Sequence, residues 1–264
     1  MHWLVTGAGG TLGRVLGAAA VAAGHRATGW NRAACDPLRI DTHAAYVDAV
    51  APDAIVHLAT ASQGTGAHDE GRRINLDWSA HLATLAAARG LPLLFTSTAM
   101  VFESTTPGPY TLATPADARA GYGLEKRLAE VAVLQAHPDG ARVVRLGWQI
   151  GPDAVGNNLI AHACREMAAH GEVAASTAWR PACSFIEDTA AALLRAMALP
   201  PGLYMLDGNR AGHDFAAIVE ALGRTLGHTW RVRRHADYVH DQRLLDDRLA
   251  VPVIGVRLGL QGRG

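Results

Sequence analysis

Charge excess, long apolar runs and paired cysteines are all missing from this chain of 264 residues. Lys plus Arg equals Asp plus Glu at 24 each, so no global basic field argues for nucleic acid or an anionic membrane. No run approaches the roughly 18 apolar residues of a membrane span. The Ala-rich stretch from Val15 to Ala23 is short and interrupted by Gly17. Three cysteines, Cys35, Cys164 and Cys183, are odd in number and stand at no metal-ligand or redox spacing. They read as buried thiols in a reducing compartment. Thirteen histidines are scattered, none in a His-Glu-x-x-His or similar set, so no metal is expected. Met1 to Thr6 enters structure at once, without a charged leader, which makes the cytoplasm the expected location.

What is present is enough apolar material, 49% of residues, for one large core or one core with a small appendage. His2 to Thr6 reads as a strand, Gly7 to Gly13 as a glycine turn, and Arg14 to Ala23 as a helix. Such turns hold nucleotides because glycines let backbone amides approach a pyrophosphate, and the helix N-terminus adds free N–H groups and a positive dipole end. Gly7, Gly10, Thr11, Leu12 and Gly13 are therefore candidate cofactor contacts. A second strand, His25 to Trp30, leads to Asn31-Arg32. An acidic residue there would accept from an adenosine ribose, whereas arginine pairs with a 2′-phosphate, so NADP(H) is favoured over NAD(H).

Asp41-Thr42, also a candidate for the cofactor, precedes a helix from Ala44 to Val50. A third strand, Ala54 to Leu58, follows. Strands separated by single helices imply parallel order and a doubly wound α/β sheet of Rossmann type. Leu58, Ala59, Thr60 and, on the substrate side, Ser62 stand at the carboxyl end of that strand, where open sheets bind ligands. A helix through Ala88 carries Asn75, and a fourth strand, Pro92 to Ser97, ends in Ser97-Thr98. Residues 1–150 read as a cofactor-binding domain. Residues 151–264, where the alternation loosens, read as a smaller substrate-binding lobe, with some segments returning to the core.

Tyr122-Gly-Leu-Glu-Lys126 follows a proline-rich loop. Four residues are a little over one helical turn, so the phenol and the ammonium share a face. Taken alone, that spacing is an ordinary solvated helix face. A free tyrosine titrates near 10, so exchange of its proton at neutral pH asks for a fall of about 2 to 3 units, roughly 3 to 4 kcal/mol. A cation about 5 Å away at an effective dielectric near 20 is worth about that much.

The glycine turn, the hydroxyls ending the fourth strand and Tyr-x-x-x-Lys, in this order, resemble the extended branch of the short-chain dehydrogenase/reductase superfamily. Within it the chain is most similar to dTDP-4-dehydrorhamnose reductases, through Thr6 to Gly13, Pro52 to Val56, Ser97-Thr98 with Val101-Phe102, Tyr122-Gly123 with Lys126, Arg145 with Trp148, and Ile186 to Ala190. The resemblance implies an NADPH-dependent reduction of a ketone, a 4-keto group of a nucleotide-activated deoxysugar, by a homodimer. Tyr122 would give the proton, Lys126 would lower its pKa and hold the nicotinamide ribose, and Thr98, with Ser97 as second choice, would orient the carbonyl. Trp148 and Arg180 are candidate substrate contacts.

Two departures bear on the substrate. Ala99-Met100 follows Thr98 where the family has Asp-Tyr, and Thr177 to Ala182 replaces its substrate-side pattern. Sugar-nucleotide dehydratases need an extra acid after the threonine, which Ala99-Met100 does not supply. The remaining alternatives are a sugar-nucleotide epimerase, which usually prefers NAD, and a non-catalytic NADP-binding regulatory subunit.

Overall fold

The structure is a computed structural model that describes residues 1–61 and 68–260. Its helices and strands run in the order β1 (His2–Thr6), α1 (Thr11–Ala22), β2 (Arg26–Gly29), α2 (Ile40–Val50), β3 (Ala54–His57), the single turn α3 (Glu70–Arg72), α4 (Trp78–Ala88), β4 (Leu93–Thr98), α5 (Gly121–Ala136) and β5 (Ala141–Leu146). Then come β6 (Trp148–Ile150), α6 (Leu159–His170), β7 (Val173–Ser176), β8 (Trp179–Arg180), β9 (Cys183–Phe185), α7 (Ile186–Ala196), β10 (Gly202–Leu206), α8 (Phe215–Leu226), β11 (Val232–His235), β12 (His240–Asp241) and α9 (Ile254–Leu258).

Residues divide between two compact units, the first comprising 1–103, 116–145 and 190–204. The second comprises 104–115, 146–189 and 205–264.

The first unit is built on a six-stranded sheet in the order β10-β5-β4-β3-β1-β2, the parallel α/β arrangement the alternation of elements predicts. Strand β1 lies parallel to both β2 and β3, with Val5 opposite Gly29 on one side and Val56 on the other. Strand order therefore reverses across β1, and the crevice outside the carboxyl ends of β1 and β3 is the ligand position of such sheets. Strands β1 and β3 are buried along their whole length, as expected of a sheet covered on both faces. Ile55, Phe95, Ala129, Val133 and Val143 form one core cluster, and Leu4, Trp30, Val47, Trp78 and Leu82 another.

Two helix starts differ from the sequence reading. Helix α1 begins at Thr11, because Gly10 is its N-cap in extended conformation, so Thr11, Leu12 and Gly13 are its first turn. Helix α2 begins at Ile40, so Asp41 and Thr42 lie inside its first turn, where Asp41 complements the helix dipole.

The second unit has its own core of Ile150, Leu159, Val173, Phe215, Ile218, Leu222 and Ile254. Short parallel pairs, β6 with β9, β7 with β11 and β8 with β12, replace a large sheet. Asp207 joins the start of β9 to two loop segments: its carboxylate accepts from the backbone N–H groups of Cys183, Asn209 and Leu244 at 3.0, 2.7 and 3.0 Å.

Candidate active site

Gly7 turns the chain out of β1 with φ +69°, in the left-handed region, and a Cβ there would come within 2.8 Å of the Ala59 nitrogen. Only glycine gives both the conformation and the close approach. The turn is thereby pressed against Leu58 and Ala59, whose N–H groups both donate to Thr6 Oγ1 at 3.1 Å. Because that oxygen already accepts twice, its own proton goes to His57 Nδ1, 2.6 Å away. On the other side of the ring, Ser79 Oγ donates to the Asn75 carbonyl and so accepts from His57 Nε2–H at 2.9 Å. His57 is neutral in this network: burial, and then the charge of Lys126, push its pKa well below the usual value.

No side chain caps α1, and its first turn holds no acidic residue. A helix start of this kind can receive an anion on its leading N–H groups. At the exit of β2, Asn31 Oδ1 accepts from Ala33 and Ala34 N–H, an Asx turn that presents Arg32 to solvent. No hydrogen bond or ion pair engages the Arg32 guanidinium among the described residues. Asn31 N–H donates to Tyr46 on α2, which fastens this turn to the helix that carries Asp41 and Thr42. Those two side chains are spent locally: Asp41 pairs with Arg39 at 3.1 Å, and Thr42 Oγ1 donates to the Arg39 carbonyl.

Tyr122 and Lys126 occupy the first turns of α5, as their spacing predicts. The Tyr122 hydroxyl has Thr60 as its neighbour, and Thr60 donates to Asn75 Oδ1 at 2.9 Å. Asn75 is fully buried in a π-helical turn, Arg73–Asp77, and uses every bond its amide can make. Oδ1 also accepts from Ala61 N–H at 2.9 Å, while Nδ2 donates to the Ala61 carbonyl at 3.1 Å and to Glu125 Oε2 at 2.7 Å. Thr98, half-buried at the end of β4, accepts from Met100 N–H at 3.1 Å. Gly123, beside Tyr122, lets α5 approach the Met100 carbonyl, which a Cβ would strike. Ser97 points to the other face of β4, its hydroxyl buried without a partner among the described residues.

Lys126 is 1% exposed, and its ammonium lies 3.9 Å from the centre of the Phe95 ring. Burial lowers its pKa to about 7, against the pull of the Glu130 carboxylate. The expectation that Lys126 depresses Tyr122 is corrected here. Burial first, and with it the Glu125 charge, raise the Tyr122 pKa.

The glycine turn, Leu58 to Thr60, Asn75 and Tyr122 are thus joined by one continuous set of contacts. Trp148 and Arg180 belong to the second unit. There the Trp148 ring stacks on Phe215 and Trp179 at 6.0 and 6.2 Å, and Arg180 sits in β8 opposite Asp241. Ser62 lies outside the described residues. Sequence reasoning passed over Glu125 and gave Asn75 little weight. Their signal was spacing: Glu125 is three residues after Tyr122, hence on the same helix face.

Among curated proteins the chain is 36% identical over 170 residues to a dTDP-4-dehydrorhamnose reductase of Streptomyces griseus, covering 62% of this chain and 54% of that protein. It is 30% identical over 153 residues to a dTDP-4-keto-6-deoxy-D-glucose reductase of Streptomyces niveus, covering 57% and 53%. The chain spans about half the length of the curated relatives it matches. Among solved structures, a dTDP-4-dehydrorhamnose reductase of Bacillus anthracis in complex with NADP superposes with a TM-score of 0.83 at 18% identity, over 97% of this chain and 95% of that one. The model of the RmlD substrate binding domain matches residues 1–219, and the chain belongs to that family.

Proposed function

We propose that this protein reduces a ketone with NADPH, the substrate being a 4-keto group of a nucleotide-activated deoxysugar. The observation that carries the reading is the placement of Tyr122 and the buried Lys126 on one face of α5, with Thr60 beside the phenol at the end of β3 next to the Gly7 turn. The donor set fits the cofactor. The uncapped first turn of α1, Thr11 to Gly13, would receive the pyrophosphate, and the free Arg32 guanidinium the 2′-phosphate. Asn31, Leu58, Ala59 and Thr60 would line its path, and Lys126 would hold the nicotinamide ribose.

NADPH, when bound, supplies the hydride that goes to the carbonyl carbon. Tyr122 gives its proton to the carbonyl oxygen, and Thr98 orients that oxygen; a group so placed contributes about 10² to 10⁴-fold. A raised Tyr122 pKa suits this direction, because reduction needs the phenol protonated at neutral pH. Trp148 and Arg180 are proposed substrate contacts, with residues 1–150 mainly binding cofactor and 151–264 mainly substrate. The same reading has the protein acting in the cytoplasm as a homodimer.

The test is a titration with NADPH and NADH, then a screen of 4-ketosugar nucleotides followed at the nicotinamide absorbance. NADPH oxidation with one such substrate, lost in Tyr122→Phe, is the expected result. Tightly held NAD with no net NADPH consumption would point to an epimerase instead.

A further inference from the structure

Glu125 stands in the turn between the proton donor and its lysine, and its carboxylate is fixed by the site rather than by solvent. Asn75 Nδ2 donates to it at 2.7 Å, and the residue facing it on α3 is Gly71, where a Cβ would lie 2.5 Å from Glu125 Oε1. The space for the carboxylate therefore depends on a missing side chain. We infer that Glu125 is a positioning residue of the proton-donating site: it anchors the Asn75 amide, and through Thr60 the Tyr122 hydroxyl, and supplies the fixed negative charge that faces the phenol.

The chain of bonds has a direction. Thr60 spends its only proton on Asn75 Oδ1, so toward the neighbouring Tyr122 hydroxyl its oxygen can only accept. Asn75 can keep Oδ1 toward Thr60 only while Nδ2 faces acceptors, and Glu125 is one of the two it has. An amide left short of an acceptor in a buried site carries a desolvation cost of about 1 to 3 kcal/mol. Loss of Glu125 would loosen the oxygen that orients the phenol.

The charges around Tyr122 make Glu125 the relevant anion. On its own helix the other charges are Lys126, directed at Phe95, Arg127, which donates to the Ala116 carbonyl, and Glu130, which pairs with Arg145. From α3 and the π-helical turn the charged side chains are Glu70, Arg72, Arg73 and Asp77; Arg72 pairs with Asp77 on the exposed side, and Arg73 is exposed. Strand β4 contributes only hydroxyls, Thr96, Ser97 and Thr98, the turn after it Met100, and α4 its His81. Of all these, Glu125 is the charge that acts on the phenol, and it opposes loss of the phenolic proton. A negative neighbour of this kind favours a donor over an acceptor and so biases the site toward reduction.

The inference rests on the ketone-reduction reading for its kinetic arm alone. In the first arm, Tyr122 is titrated as tyrosinate absorbance, the signal of the Tyr122→Phe protein being subtracted. Glu125→Gln keeps the shape and the acceptor for Asn75 and removes the charge; its midpoint is expected to fall by about one pH unit. Glu125→Asp keeps the charge and withdraws it from Asn75; its midpoint is expected to remain near that of the unaltered protein. In the second arm, with an accepted ketone, the alkaline fall of kcat should move down with the midpoint in Glu125→Gln. In Glu125→Asp the fall should stay in place while kcat drops about tenfold, as about 1 to 2 kcal/mol of orientation is lost. Midpoints that coincide in all three proteins overturn the inference whatever the activity. Absence of any reducible ketone, with the midpoint displaced in Glu125→Gln, leaves the inference standing and removes the proposed reaction.

Discussion

The Lys126 ammonium faces the Phe95 ring at 3.9 Å, in a seam between α5 and β4 that water does not reach. A ring face is a weak substitute for hydration, which is why this amine titrates near 7. Between about 7 and the unfolded value of 10.5 the folded chain binds fewer protons than the unfolded chain at this position, so stability rises with pH across that window. Below it, the full cost of the buried charge is present. Lys126→Met is expected to abolish turnover and to stabilise the fold by up to about 4 kcal/mol at pH below 7, the gain shrinking as pH rises toward 10. Urea unfolding at a series of pH values measures both the gain and the lost slope. A variant less stable than the parent at low pH would contradict the burial argument.

Arg32 has no partner to lose among the described residues, so its removal should be silent for stability and costly for cofactor choice. Arg32→Ala is expected to weaken NADPH binding about 10- to 100-fold, as befits a lost charge-assisted contact, with NADH binding changed little. Fluorescence titration with the two cofactors decides it; equal weakening of both would move the 2′-phosphate elsewhere.

Glu130 grips Arg145 in a two-pronged pair, at 2.9 and 2.7 Å, with both side chains about 5% exposed. Among the described residues Arg145 Nη1 has no hydrogen-bond partner, and the guanidinium otherwise lies over the Phe102 ring. Glu130→Ala should cost about 3 to 5 kcal/mol, because it strands a buried cation. It should also lower the Lys126 midpoint further, since Glu130 is the charge that holds it up. Denaturant melts read the first effect. A Lys126 midpoint that rises instead would contradict the second.

Gly7→Ala meets two obstacles at once, a left-handed backbone and the Ala59 nitrogen. The expected result is a loss of about 1 to 3 kcal/mol of stability and of NADPH binding, with β1 and β3 forced apart at their ends. Gly9→Ala, open on every side within 4 Å, is the control that should bind normally. Parallel calorimetry of the two variants separates backbone strain from a general effect of adding a methyl group.

The sheet and the family were legible in the chain because their signals are local. Strand, glycine turn and helix follow one another within His2 to Ala22, and Tyr122 with Lys126 needs only helical periodicity. The boundary of α2 was misplaced by four residues because Asp41 and Thr42 look like residues that precede a helix, whereas here Asp41 serves the dipole from inside. The tuning of Tyr122 was not legible at all. It begins with burial, and Thr60, Asn75 and Gly71, which lie about 50 to 60 residues away in sequence, meet Tyr122 and Glu125 only through the fold. The short strands of the second unit escaped for a related reason: pairs of two to four residues carry too little periodicity to be read.

Lys126 is also the only lysine in the sequence. Its ε-amine, buried over Phe95, is consequently a built-in isotopic reporter: protein grown on ¹⁵N-lysine carries one side-chain signal, and that signal comes from the centre of the site. Cofactor docking, loss of Glu130 and loss of Glu125 could each be followed at that single nitrogen without a substrate in hand. Reagents that modify amines would likewise find no lysine on the surface, so attachment through the N-terminal amine alone would give a uniformly oriented, intact protein.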